Sequence, residues 1–228
     1  MIFDSNYLLL VFIPTLILSL GAQFFVRSAY NKWGKVRNSA GATGVDVART
    51  IFSRTDVQQL PLEGTPGQLT DHFDPGSNIV RLSQGIATTP SVAAMAVVAH
   101  ELGHVQQYQQ RSPLIAARQF LVPAVTFAPQ IGYLMIFAGL FLRMTGLIWA
   151  GIALFAVMVV FMILTLPVEI DASRRGMALL QQSGLLTSSE DASGARQVLT
   201  AAALTYVAAA ITSVLQLLYF VSLANRRR

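Results

Sequence analysis

Cysteine is absent from the 228-residue chain, and charged residues are scarce. Without cysteine the chain can form no disulfide and offers no thiolate, so a metal site must use His, Asp or Glu. Charged residues make up 12% and hydrophobic residues 54% of the sequence, whereas soluble domains contain roughly 25% charged residues. This composition predicts a membrane protein. The net charge of +5 does not indicate a nucleic-acid partner, because the basic residues are few and lie mostly beside apolar runs.

Four uncharged runs are predicted to be transmembrane helices, because each can cross a hydrocarbon core of about 30 Å. They comprise residues 7–26, 120–142, 144–168 and 198–224. The first run fits a membrane span better than a cleaved signal peptide, since Asp4 and no basic residue precedes it. Only Arg143 separates the second run from the third, which predicts a tight helical hairpin.

The basic residues predict the orientation of these spans. One side of the predicted topology carries twelve of the sixteen Lys and Arg residues: Arg27, Lys32, Lys35, Arg37, Arg49, Arg54, Arg81, Arg111, Arg118, Arg174, Arg175 and Arg196. The positive-inside rule assigns this side to the cytoplasm. Arg226, Arg227 and Arg228 then fall on the other side, against the rule. Either the majority of basic residues outweighs this cluster, or the last run is an intramembrane hairpin or a buried core helix rather than a span.

Residues 27–119 are predicted to form a small α+β domain that carries the functional site. Residues 38–44 read as a linker, and apolar residues at helical spacing predict an amphipathic helix over residues 45–54. Pro75 and Gly76 indicate a turn between two short strands. The second strand, "NIVRLS", is predicted to bind an extended substrate by edge pairing.

The segment "HELGH" contains two of the three histidines of the chain. It lies in a helix predicted over residues 90–110, capped by Thr89. One helical turn separates His100 from His104, so both imidazoles project from one face and can hold one ion. Glu101 is rotated away from the histidines and can reach a water on that ion. This constellation predicts a zinc hydrolase site.

A catalytic zinc site needs a third protein ligand and an open position. Glu169 is the preferred candidate, because it follows a span that returns the chain to the side of the histidines. It begins the segment 169–197, in which the small Ala172 permits close helix approach and Gly184 can end the helix. Asp171 is rotated away from Glu169 on an ideal helix, so the two are not expected to bind one metal. Weaker candidates are Asp71, His72 and Asp74.

Four motifs in order, "LTDHFDP", "AHELGHVQQ", "LPVEIDASRR" and "LTAAALTYVAAA", resemble the YugP-type membrane zinc metallopeptidases of bacteria. The resemblance implies a neutral zinc peptidase with His100 and His104 as ligands and Glu101 as catalytic base. More distantly, the chain is similar to HtpX and the CAAX prenyl proteases, whose third ligand corresponds to Glu169. Those enzymes usually place an aspartate four residues later to orient a ligand histidine. Here that position is Ser173, a weaker orienting group.

The expected fold is mainly α, with about four transmembrane helices and a small gluzincin-like zinc metalloprotease domain. The expected function is zinc-dependent endopeptidase activity at the cytoplasmic surface of the bacterial inner membrane, in which Glu101 activates a zinc-bound water. The oxyanion partner stays open between His72, Arg174 and Arg175. A site-2-type intramembrane protease is disfavoured, since no Asp-Gly occurs in the sequence.

A zinc-binding membrane scaffold or assembly factor without proteolytic activity is the alternative function. The expected partners are a polypeptide substrate, with unfolded membrane proteins as candidates, and the lipid bilayer. No nucleic-acid partner is expected, and the sequence does not predict an oligomeric state.

Overall fold

The computed structural model describes residues 5–226, so Asp4, Arg227 and Arg228, which bear on the orientation of the spans, lie outside the described residues. The chain begins with α1 (Ser5–Tyr7), a π-helical turn (Leu8–Phe12) and α2 (Ile13–Trp33). The later helices are α3 (Gly44–Arg54), α4 (Gln84–Thr88), α5 (Val92–Gln109), α6 (Pro113–Leu142), α7 (Thr145–Gln182) and α8 (Ser189–Asn225). Three strands lie between α3 and α4: β1 (Leu62–Thr65), β2 (His72–Asp74) and β3 (Ile79–Ser83).

Within residues 5–226, four helices are long and apolar enough to cross a membrane, which confirms the predicted number. They are Ser5–Trp33, Pro113–Leu142, Thr145–Gln182 and Ser189–Asn225. Phe120 and Phe141 in α6 are 83% and 87% exposed. Aromatic side chains exposed on an apolar helix suit contact with lipid rather than water. The last run belongs to the continuous helix α8, so the alternative of an intramembrane hairpin is wrong.

The helix that carries Glu169 is not separate from the third span, as the predicted boundary at residue 169 implied. Instead, α7 runs without a break from Thr145 to Gln182, with Pro167 inside it. A proline inside a long membrane helix is tolerated because neighbouring groups satisfy the backbone that it frees. Gly184 then adopts a φ of +74°, as expected for a residue that terminates a helix.

The chain divides into two compact units. One consists of residues 5–22, Ala116–Pro167 and 204–226, and its core includes an aromatic cluster of Tyr133, Phe155 and Phe220. In this cluster the ring centroids of Phe155 and Phe220 lie 5.4 Å apart in an edge-on arrangement. The other unit comprises Gln23–Ile115 and Val168–Ala203, and it contains α3, the sheet and the motif helix α5.

The small sheet has the strand order β1-β3-β2. β2 and β3 pair antiparallel around the predicted turn, with Phe73 opposite Val80, which confirms the hairpin. β1 pairs with the other side of β3 in parallel. The expectation that "NIVRLS" binds substrate through a free edge is therefore wrong, because β3 is the central strand.

Two local expectations are also wrong. Residues 38–44 are not a linker, since Asn38 is buried and its side chain closes a turn with the backbone of Ala42. The motif helix is capped by Ser91, whose Oγ accepts a hydrogen bond from the N–H of Ala94, and not by Thr89. Pro90 stays outside the helix because its carbonyl accepts a hydrogen bond from the N–H of Asn38.

Candidate metal centre

The helix α5 carries His100, Glu101 and His104. It belongs to the unit formed by Gln23–Ile115 and Val168–Ala203. The two imidazoles lie one turn apart, with ring centroids separated by 4.8 Å. Glu101 is buried, at 8% exposure. Burying a carboxylate costs free energy unless neighbouring groups compensate its charge. The groups around Glu101 therefore have to stabilise it.

The helix α7 reaches this segment because small residues let the two backbones approach each other. A Cβ added at Gly103 would collide with the carbonyl oxygen of Ala172, which is fully buried. One turn further along α7, a Cβ added at Gly176 would lie 2.7 Å from the carbonyl oxygen of Ala99. The predicted role of Ala172 in close helix approach is confirmed. This contact brings Glu169, one turn before Ala172, to the histidines.

We expect Gly103→Ala to displace α7 from α5 and weaken zinc binding. Forcing one methyl group into a packed contact typically costs about 1–3 kcal/mol, and here the obstacle is backbone that cannot rotate away. Thermal unfolding and the zinc content of the purified protein measure both effects. Gly21→Ala is the matched control, since nothing lies within 4 Å of an added Cβ there. Wild-type stability and zinc content in Gly103→Ala would show that the close contact is not needed.

His100, His104 and Glu169 form a group whose candidate ligand atoms all lie within 4.8 Å of one another. Glu169 Oε2 lies 3.3 Å from His100 Nε2 and 3.4 Å from His104 Nε2. Ligand atoms on a tetrahedral zinc ion with bonds of about 2.1 Å are separated by roughly 3.4 Å. The donor set and its spacing therefore fit zinc.

The hydrogen bonding of the Glu169 carboxylate also indicates a cation site. Its Oε2 is buried and, among the described residues 5–226, has no hydrogen-bond partner. The two imidazole contacts thus lack hydrogen-bond geometry although they are short. Buried polar atoms in native structures are almost always satisfied, and an orphaned one points to an absent ion or water.

Gln107 determines which nitrogen of His104 carries the proton. Its side chain is fully buried, and its Nε2 donates to the Val168 carbonyl at 2.9 Å and to Asp171 Oδ2 at 2.7 Å. Both partners only accept, so the amide orientation is fixed and Gln107 Oε1 must be the atom that faces His104. His104 Nδ1 lies 3.0 Å from that oxygen and donates its proton to it. In the neutral ring, Nε2 then presents a lone pair toward Glu169, as a metal ligand requires.

Ser173 and Asp171 form further hydrogen bonds around the ligand group. His100 Nδ1 lies 3.1 Å from the Ser173 hydroxyl. Asp171 is separate from the ligand group: its Oδ2 accepts from Gln107 and, at 2.7 Å, from Arg175 Nε. A connected series of hydrogen bonds therefore runs from Arg175 through Asp171 and Gln107 to His104.

Glu101 is not part of the ligand group of His100, His104 and Glu169. It faces β2, a strand at the edge of the sheet. Its Oε2 accepts a hydrogen bond of 2.9 Å from the backbone N–H of Phe73. Burial raises the pKa of the Glu101 carboxyl, although the nearby His100 and His104 act against the rise. Burial acts to lower the pKa of His104, but the neighbouring Glu169 and Glu101 outweigh it and raise that pKa. The metal-free centre thus favours a positive charge.

The weaker ligand candidates lie outside the group of three ligand residues. Asp71 accepts hydrogen bonds from Ser83, and Asp74 binds Arg81 at 2.7 Å. His72 is exposed, with Nδ1 2.8 Å from the Thr70 carbonyl. The Arg81 hydrogen bond lowers the pKa of Asp74.

Sequence reasoning missed Gln107 and the backbone of Phe73. A signal for Gln107 was available, because it follows His104 by three residues and therefore shares its helical face. The Phe73 contact had no such signal, since it depends on how the sheet packs on α5.

Four helices able to cross a membrane and a His-His-Glu group that can hold a metal ion indicate a membrane protein with a candidate zinc centre. Residues 8–225 match the family described as "Putative neutral zinc metallopeptidase". The chain belongs to this family, whose metal is zinc. It is 41% identical over 209 residues, 92% of each chain, to a Bacillus subtilis (strain 168) protein called "Putative membrane protease YugP". No solved structure matches the chain.

Proposed function

We propose that this protein is a gluzincin-like zinc endopeptidase that hydrolyses peptide bonds at the cytoplasmic surface of a bacterial inner membrane. His100, His104 and Glu169 hold the zinc, and Glu101 is the catalytic base. The family membership and the spacing of the three side chains support this proposal.

The buried position of Glu101 is the observation that carries the proposal. Three residues already supply the ligand set, so a fourth ionisable group beside it is not required to hold an ion. A structural zinc site usually closes all four positions, whereas a catalytic site keeps one open. A carboxylate held by the Phe73 N–H next to the two histidines is suited to proton transfer.

When bound, zinc supplies Lewis acidity, which polarises a scissile carbonyl and lowers the pKa of water toward about 7. Glu101 takes a proton from the attacking water and delivers it to the leaving amine nitrogen. Its burial raises its pKa, which makes it a stronger base than an exposed glutamate. Gln107 and Ser173 hold the two imidazoles so that each Nε2 lies close to Glu169 Oε2, where the three residues would hold the metal.

The orientation follows from the basic residues. Twelve of the sixteen Lys and Arg residues, including Arg174 and Arg175 near the site, lie on the side of the predicted topology that carries His100. Basic residues near membrane spans favour the cytoplasmic side.

The proposed substrate is a polypeptide, with unfolded membrane proteins as the candidate class. This follows from the resemblance to HtpX and from the four helices of the chain that are able to cross a membrane. Such a resemblance identifies a substrate class and not a sequence preference.

Proteolysis by the purified protein is expected to depend completely on zinc, because zinc supplies the electrophile and Glu101 alone cannot replace it. Detergent-solubilised protein is incubated with fluorescently labelled unfolded casein, with and without 1,10-phenanthroline. We expect the chelator to abolish cleavage and zinc to restore it, while the non-chelating 1,7-isomer has no effect. Cleavage that persists after zinc removal would contradict the proposal. Zinc-loaded protein that cleaves neither casein nor membrane-protein fragments would favour the scaffold function.

A further inference from the structure

A cavity of about 440 Å³ is lined by residues of α7 and α8. One of them is Ser173, whose hydroxyl contacts His100. Its volume lies in the range of small-molecule sites, roughly 300–1,000 Å³. All its lining residues belong to the unit that contains the metal centre. Of its lining residues, the proposed protease mechanism uses Ser173 alone, which holds the His100 imidazole.

The polar lining of this cavity consists of groups that bind phosphate. Among the lining residues, Arg174 and Arg196 carry guanidinium groups, and Ser173 and Thr200 carry hydroxyls. Within residues 5–226, neither arginine forms a salt bridge with a carboxylate, whereas Arg81 and Arg175 do. Guanidinium groups bind phosphate oxygens through paired hydrogen bonds. The Arg174 charge helps to lower the pKa of Asp171, but Asp171 forms its salt bridge with Arg175. Two arginines without a salt bridge at one cavity therefore favour an anionic ligand.

The remaining lining is apolar and includes Ile170, Met177 and Leu199. These residues adjoin the ends of apolar runs, since the uncharged stretch of α7 ends at Val168 and that of α8 begins at Val198. In a membrane helix, the point where an apolar run meets charged residues lies at the level of the lipid headgroups. Basic pockets between such helices bind the headgroups of anionic lipids.

We propose that this cavity binds an anionic phospholipid, with the phosphate on Arg174 and Arg196 and acyl carbons against the apolar wall. An inorganic phosphate ion would use the arginines but leave the apolar wall without a partner. The Ser173 hydroxyl lies 3.1 Å from His100 Nδ1, so a bound lipid lies next to a residue that positions a metal ligand.

The test uses purified, zinc-loaded protein in dodecylmaltoside, titrated with phosphatidylglycerol or phosphatidylcholine, and native mass spectrometry counts the bound lipid. Phosphatidylglycerol is expected to bind at least tenfold more tightly than phosphatidylcholine. The double variant Arg174→Gln/Arg196→Gln should weaken phosphatidylglycerol binding by roughly tenfold or more, since each basic residue contributes about a fivefold gain. The charge-matched control is Arg49→Gln/Arg143→Gln, two exposed arginines outside the cavity.

A second variant, Ala203→Phe, fills the cavity and keeps both arginines. It should also weaken lipid binding, while its zinc content reports that the protein is folded. Equal binding of the two lipids by wild type, or wild-type affinity in the arginine variant, would overturn the proposal. So would displacement of phosphatidylglycerol by inorganic phosphate at equal concentration, because the free anion would then be the ligand. None of these measurements depends on peptide hydrolysis.

Discussion

Replacing Glu101 with glutamine is expected to leave zinc bound and to lower the rate of peptide hydrolysis by roughly 10²–10⁴-fold, the usual contribution of a general acid–base group. Glutamine has nearly the shape of glutamate but cannot accept a proton from water at neutral pH. The Phe73 N–H can donate to the glutamine carbonyl oxygen as it does to Glu101 Oε2. The substitution therefore removes the base and preserves its position.

Measuring both zinc content and the rate of casein cleavage separates the two roles open to a residue next to His100. Glu190→Gln is the matched control, because Glu190 is an exposed carboxylate in the first turn of α8. If Glu101→Gln keeps both zinc and full activity, Glu101 is not the base. If it loses zinc together with activity, its carboxylate belongs to the ligand set.

The features that could be predicted from the sequence are those with a local pattern. The apolar runs indicated four membrane-spanning helices, and the spacing of His100 and His104 placed both on one helical face. Pro75 and Gly76 indicated the turn between β2 and β3. In each case a few consecutive residues contain the physical cause, whether hydrophobic periodicity or turn geometry.

The features that were missed depend on contacts between distant residues. The strand β1, "LEGT", has no alternation typical of a strand and forms by pairing with β3. The start of α5 was placed too early because the bond from the Asn38 N–H to the Pro90 carbonyl is not visible in local sequence. Glu169 was predicted as the third ligand because it follows a span that returns the chain to the side of the histidines. Its short distance to them results from the contact between Gly103 and Ala172, which the sequence does not show.

Replacing Glu169 with alanine is expected to lower zinc affinity by more than the roughly 10–100-fold loss that follows removal of an outer-shell partner. Two neutral imidazoles would remain as the only protein ligands of the group, and catalytic zinc sites use three. Competition titration with a fluorescent zinc chelator measures the affinity, and Glu190→Ala serves as the control for loss of an acidic residue. Wild-type affinity in Glu169→Ala would rule out this carboxylate as a ligand.

Gln107→Leu distinguishes the outer shell from the ligands in the same titration. Leucine has a similar volume but leaves His104 Nδ1 without its acceptor, so the proton can move to Nε2 and block the lone pair that faces Glu169. We expect a loss of zinc affinity of roughly 10–100-fold, smaller than that of Glu169→Ala. In protein labelled with ¹⁵N histidine and held at a pH where the imidazole is neutral, the apo wild type should show His104 protonated at Nδ1, and the variant should not. An unchanged tautomer in Gln107→Leu would mean that other contacts orient the ring. The order of the two affinity losses follows from chemistry, because a missing ligand removes a bond to the ion whereas a missing acceptor only redistributes a proton.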